Sequence, residues 1–150
     1  MKRMHKGVGV IIGNKESNKF FVQKKDEKYQ IKKWINAFSF WGGEVEKTDK
    51  TPFEALIREL TEELGSEFIY DKSEIKFIDN YIVKSEPDFS FNLFELLLAT
   101  KDFENLTNLK INEGSGTVQN KDSLLTGVWV WGLEEVIKNY FELNNSKNRI

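Results

Sequence analysis

Residues 51–65 read as a helix with both ends written into the sequence, and this one element limits what the rest of the chain can be. Thr51 stands where an N-cap hydroxyl is needed, Pro52 at the first helical position and Glu54 three residues after the cap. That is a capping-box pattern with a pre-set first turn. Gly65 follows as a left-handed C′ residue. Between them Phe53, Leu56, Ile57, Leu60 and Leu64 recur at helical spacing, so Pro52–Leu64 has one apolar face that must be covered. With Glu59 at zero and 100° per residue, that face spans roughly 60° to 160°, whereas Glu62 lies near 300° and Glu63 near 40°. The three carboxylates therefore share a second face, expected to look away from the core. Ala55 points there too, near 320°, leaving room beside them, and Arg58 flanks the set.

The surrounding pattern supplies strands. Gly7–Ile12 (GVGVII) and Lys19–Gln23 (KFFVQ) flank a polar turn beginning at Gly13-Asn14 and read as a hairpin. An aromatic segment with Trp34, Phe38, Phe40 and Trp41 ends at Gly42-Gly43. Further strands are expected at Phe68–Tyr70, Ile75–Lys84 and Phe89–Thr100, the last two joined by a turn at Ser85-Glu-Pro-Asp88, with another at Val128–Trp131. Leu133–Phe141 reads as a closing helix, followed by a frayed tail after Asn144. Lys101–Asp122 is polar and Asn-rich and shows no clear period. Strands, a helix, more strands and a last helix predict an α/β protein: a mixed sheet with helices packed against it.

A chain of 150 residues fits a single domain, 1–150, able to bury its own core. It has no cysteine, which excludes disulfides, thiolate zinc sites and a cysteine nucleophile and agrees with a cytoplasmic location. No apolar run approaches the roughly 20 residues that span a bilayer, and the run after the basic start Met1–Lys6 is too short and Gly-interrupted for a signal peptide. Net charge is -2, so no stable nucleic-acid complex is expected. Lys24, Lys25, Lys28, Lys32 and Lys33 form a short basic stretch interrupted by Asp26 and Glu27. It reads either as a solvated loop or as a funnel for a phosphorylated small molecule. Nothing in the sequence fixes the oligomeric state, and a homodimer is open.

Like charges at i, i+3 and i+4 repel by a few tenths of a kcal/mol per pair, so solvent or a cation must offset them. Mg²⁺ takes octahedral oxygen ligands, commonly a few carboxylates with water and phosphate oxygens. Taken alone, Arg58-Glu-Leu-Thr-Glu-Glu-Leu64 is equally an ordinary solvated helix face with an Arg58–Glu62 pair. The glycines before it change the balance, because Gly42-Gly43 allows a ligand to approach the backbone closely.

Strand, Gly-Gly turn, acidic loop and capped carboxylate helix together resemble the Nudix hydrolase family, whose box reads G-x5-E-x7-R-E-U-x-E-E-x-G-U with U bulky and apolar. The matching residues are Gly43, Arg58-Glu59-Leu60, Glu62-Glu63 and Gly65. The box covers Gly43–Ser66, and the flanking sequence fits more loosely. The spacing from Gly43 to Arg58 is one residue longer than the family's. Counted from Gly43 the first acidic box position is Asp49, and counted back from Arg58 it is Lys50. The extra residue is expected to bulge near these two, leaving the helix in register. Ser66 replaces a bulky apolar residue, and Trp41 stands where many members have proline. The resemblance implies a Nudix-like α/β/α sandwich, Mg²⁺ or Mn²⁺, and hydrolysis of a pyrophosphate bond in a small-molecule substrate, a nucleoside triphosphate or a nucleoside diphosphate linked to another group. It implies Glu59, Glu62 and Glu63 as metal ligands, Arg58 orienting Glu59, and the Gly42 carbonyl near the metal. Some relatives use a late-loop Glu; Glu113, in Asn112-Glu-Gly-Ser-Gly116, is similar, and is otherwise a turn residue. The competing reading is a non-catalytic nucleotide-sensing or protein-interaction domain of the same fold.

Other residues compete weakly. His5, the only histidine, excludes a multi-histidine zinc site and lies near the N-terminus, where a catalytic role is not expected. Glu95 either faces solvent from an apolar strand or joins the carboxylates. Trp34 or Phe38 could stack on a base rather than pack, and Trp129 and Trp131 are expected to pack across the sheet.

Overall fold

The computed structural model describes residues 5–147; Met1–Met4 of the basic start and residues 148–150 of the tail lie outside that range. The strands are β1 (His5–Asn14), β2 (Lys19–Lys24), β3 (Phe38–Ser39), β4 (Trp41–Glu44), β5 (Lys76–Val83), β6 (Phe89–Leu98) and β7 (Ser115–Asn120). The helices are α1 (Pro52–Leu64), α2 (Thr100–Asn105), α3 (Lys121–Thr126) and α4 (Glu134–Lys147). The strands make one mixed sheet in the order β3-β2-β1-β6-β5, with β4 added to β1 and β7 to β2. β1 runs parallel to β6 along its whole length, from His5 opposite Phe89 to Asn14 opposite Leu98, and all other pairings between named strands are antiparallel.

Period-2 alternation distributes the apolar side chains over two layers. On one face Val8, Val10 and Ile12 of β1 and Phe94, Leu96 and Leu98 of β6 meet Leu56, Leu60 and Leu64 of α1 and Phe103 of α2. On the other, Ile11, Val22, Phe91 and Leu93 meet Leu124 of α3 and Val136, Ile137, Tyr140 and Phe141 of α4. This is the expected α/β/α sandwich. Burying each leucine of α1 contributes about 1.5–3 kcal/mol, which holds the helix flat on the sheet and fixes its rotation. Among the described residues no helix is long and apolar enough to cross a membrane.

The ends of α1 follow the sequence closely. Thr51 accepts the Glu54 backbone N–H at 3.1 Å. Glu54 reaches back to the N–H of Lys50, not Thr51, so the box is offset by one residue. Gly65 has a positive φ of 80°, with ψ at 173°, an extended left-hand conformation open essentially to glycine alone. The extra residue before Arg58 is absorbed in a turn, where the Asp49 N–H donates to the Glu46 carbonyl and Asp49 Oδ2 accepts from the Glu46 N–H. The helix keeps its register.

Four expectations fail. Phe68–Tyr70 is not a strand: Phe68 is buried and stacks on Tyr70 while Ile69 is exposed. Val128–Trp131 makes only one bridge, Trp129 to Phe38, before a 3-10 turn at Val130–Gly132. Trp129 packs beside Phe38 and Phe40, but Trp131 leaves the sheet with φ 58°. The stretch 101–122, whose sequence shows no clear period, contains most of α2, all of β7 and the start of α3. The closing helix does not end near Phe141 but continues to Lys147.

Candidate active site

The second half of α1 lies beside β4, and the carboxylate face turns out to be covered by it. Glu63 is only 5% exposed. Its Oε1 accepts the Gly42 N–H at 2.7 Å and its Oε2 accepts the Gln23 Nε2–H at 3.0 Å. Burial, reinforced by the nearby Glu59 and Glu113 charges, pushes the Glu63 carboxyl up to about 8, against the Gly42 hydrogen bond and the Lys25 charge. Glu59 is half-buried and also raised, chiefly by burial, with Arg58 opposing. Only Glu62 remains on the outside, its side chain 59% exposed. The carboxylates therefore share a face, as expected, but that face is a wall of a cleft instead of a solvated surface. Ala55 departs further: it is fully buried and belongs to the core on the α1 face of the sheet.

Gly43 explains how Glu59 fits. A Cβ on Gly43 would sit 2.5 Å from the Glu59 carboxyl carbon, so the carboxylate occupies the space that a side chain there would take. Arg58 holds it from the other side. Its Nη1 donates to Glu59 Oε1 at 3.0 Å, while Nε and Nη2 make a paired contact with Asp49 at 3.1 and 2.9 Å and Nη2 also donates to the Glu44 carbonyl. Of the two positions that the count leaves open, Asp49 is the one that meets Arg58. Beside this guanidinium the Asp49 carboxyl is held below the ordinary range. Glu62 lies 3.4 Å from the same Nη1, a long contact that leaves its side chain free to turn.

Gln23 was not singled out from the sequence. It is 1% exposed, and its amide donates to both Glu63 and the Glu113 carbonyl at 3.0 Å. A polar residue within the apolar alternation KFFVQ is the signal that could have marked it. The amide ties the segment bearing Glu113 to the helix acids. The Glu113 side chain is itself exposed, yet its charge is felt at Glu63. Glu95 neither joins the cluster nor stands free, because the Tyr140 hydroxyl of α4 donates to it on the opposite side of the sheet. His5 pairs with Glu44 at 2.8 Å on the surface. Of the basic stretch, Lys25 faces the site, its ammonium 4.7 Å from the Tyr29 ring centre, and Lys33 lies over Trp34. Among the described residues no three acidic or histidine side chains already converge as a ligand set.

A cavity of about 460 Å³ adjoins the carboxylates, sharing Gly42, Gly43 and Lys25 with them and extending to Phe40, Phe89 and Trp131. Sites for nucleotide-sized ligands are of this volume and this apolar character. A largely apolar cleft that shares Gly42, Gly43 and a lysine with the clustered acids suits a molecule with one anionic and one apolar end.

Residues 3–119 match the NUDIX domain family model. No curated protein matches the chain. Among solved structures, the chain superposes on a mutT/nudix family protein from Listeria innocua with a TM-score of 0.70 at 13% identity, covering 98% of each chain. The MutT protein from Methanosarcina mazei gives 0.65 at 16%, covering 95% of this chain and 96% of that one. The E. coli dihydroneopterin triphosphate pyrophosphohydrolase gives 0.63 at 14%, covering 93% and 97%. At these identities the likeness is one of fold.

Proposed function

The chain belongs to the Nudix family of hydrolases, and on that premise we propose that residues 1–150 form one cytoplasmic domain that cleaves a pyrophosphate bond of a nucleotide-like substrate with Mg²⁺. The observation that carries this reading is the pair Glu59 and Glu63, both desolvated against Gly42-Gly43, with Glu62 one helical step away on the open side. A buried and a half-buried carboxylate side by side are costly to ionise together without a cation.

The donor set fits the metal. Carboxylate oxygens, with the Gly42 carbonyl as a neutral addition, are the hard ligands that Mg²⁺ prefers and Mn²⁺ accepts. Gly43, by lacking a side chain, lets Glu59 lie against the β4 backbone. The bound ion would polarise a phosphoryl oxygen and lower the pKa of a coordinated water. The protein's own part is positional. Asp49 fixes Arg58, Arg58 fixes Glu59, and Gly42 with Gln23 fixes Glu63. Lys25 attracts the polyphosphate. Glu113 or a helix carboxylate takes the proton of the attacking water.

The test is a panel of nucleoside triphosphates and nucleoside-diphosphate conjugates incubated with Mg²⁺, following release of phosphate, pyrophosphate or nucleotide. Turnover that chelation abolishes is the expected result. Nucleotide binding with no turnover at any metal concentration would turn the assignment to a sensing domain, and neither binding nor turnover would remove nucleotides from it.

A further inference from the structure

Trp131 is the one described residue with a bulky aromatic side chain at positive φ, 58°. Such a conformation is strained for a residue with a side chain and persists where the surroundings hold it. Here the ring lies 4.5 Å from Trp34, centre to centre and tilted by 58°. Its side chain is nevertheless 37% exposed and borders the cavity beside the carboxylates. A tryptophan turned out of the sheet, braced by a second tryptophan and left uncovered over a cavity gains nothing for the core. Trp129, two residues earlier, is 1% exposed and does that work.

The cavity joins two kinds of wall: Gly42, Gly43 and Lys25, which also border the acids, and the rings of Phe89, Phe91 and Trp131. A substrate whose anhydride lies at the carboxylates has these rings within the same cavity for its remaining part. From the exposed, braced Trp131 ring on the cavity that shares Gly42, Gly43 and Lys25 with the acids, we infer that Trp131 is the stacking surface for a planar aromatic base attached to the polyphosphate. Stacking needs only an aromatic face, which every base has. Trp34 acts behind Trp131 as its brace, and Phe38, packed on Trp129, takes no part. The inference rests on the hydrolase reading above and narrows its substrate class.

The experiment compares ATP, CTP and inorganic tripolyphosphate, with Mg²⁺, on the parent protein, W131L and W131F. Base–aromatic stacking supports a loss of about tenfold or more in nucleotide affinity for W131L. That loss should appear for both ATP and CTP, in Kd and in KM more than in kcat. W131F should stay within about threefold of the parent, and tripolyphosphate should be handled alike by all three. If W131L melts early, the parent labelled with 5-fluorotryptophan replaces it: the Trp131 ¹⁹F resonance must move on nucleotide addition and stay in place with tripolyphosphate. Parent-like nucleotide affinity in a folded W131L, or an unmoved Trp131 resonance, overturns the inference while leaving the anhydride chemistry standing. Cleavage of tripolyphosphate with no nucleotide binding does the same. A parent protein that hydrolyses none of these compounds, nor any other anhydride of the panel above, removes the hydrolase reading itself.

Discussion

Replacing Gly43 by alanine separates the site from the fold, because the atoms nearest the new methyl all belong to the Glu59 side chain. Built on the existing chain, it lies 2.5 Å from the carboxyl carbon and one oxygen of Glu59. To reach ordinary contact at 3.4 Å the carboxylate must retreat by about 0.9 Å. Gly43 has no positive φ, so alanine strains nothing there, and loss of unfolded-state freedom contributes about 0.4–1 kcal/mol in its favour. Stability should therefore change by less than about 1 kcal/mol. Activity should not escape so lightly, since a misplacement of about 1 Å at reacting groups costs on the order of 10²-fold, or roughly 2.7 kcal/mol of barrier. The neighbouring G42A is the control. There φ is +153° and the methyl would sit 2.0 Å from the Val8 carbonyl oxygen, so the β1–β4 pairing itself must give way, at a cost of roughly 3 kcal/mol. Urea melts, Mn²⁺ titration calorimetry and kcat on the best substrate measure all three quantities. The reasoning fails if G43A keeps parental metal affinity and kcat, or if it loses as much stability as G42A.

Glu62→Gln should abolish most turnover and leave the melting temperature within about 2 °C of the parent, since the group is exposed and its loss relieves repulsion; parental kcat would take Glu62 out of the site. Glu113→Gln, at saturating Mg²⁺ and substrate, should lower kcat with substrate affinity nearly kept, whereas unchanged turnover would assign the residue to the turn and leave the base among the helix acids. Glu63 predicts a pH profile for the metal-free protein. Its folded pKa, about 8, stands above the ordinary 4.5, so its contribution is present in full below that lower value and is lost as pH rises through about 8. Thermal melts in EDTA should fall across this window, Mg²⁺ should restore them, and E63Q should flatten the profile; a parent profile already flat in EDTA would contradict it.

The helix and the glycines before it were legible because their signals are local. Thr51, Pro52 and Gly65 act on backbone within a turn of themselves, and the leucines repeat at one period. The Nudix resemblance rests on the same segment and led directly to the family and the α/β/α fold. What stayed hidden depends on distant partners. Glu63 and Glu62 look alike in sequence, and only Gln23 and Gly42 distinguish the buried one from the exposed one. Ser115–Asn120 has a single large apolar residue, Val118, and becomes a strand because β2 presents an edge to it. Phe68-Ile-Tyr70 has strand composition but finds no edge to pair with. Asp49 could not be chosen over Lys50 by counting, since a loop insertion has no fixed place until Arg58 selects the carboxylate. Trp131 alternates with Trp129 as a strand residue would, and the departure begins at the turn that Gly132, with φ 82°, completes.

The parallel register of β1 with β6 has a consequence during synthesis. β1 leaves the ribosome well before its partner β6, with Val8, Val10, Ile11 and Ile12 destined for complete burial. The β2 hairpin protects only its far end, at Ile12 and Gly13, and β4 arrives soon after to cover Gly7–Val10 along the same edge. The opposite edge must wait for residues 89–98. Until then the nascent chain displays a β-branched strand with an open row of amides, the kind of surface that recruits chaperones or pairs with another copy. A late, long-range closure also slows folding. Solubility on overexpression should accordingly respond to translation speed between β1 and β6 more than to changes in the finished surface.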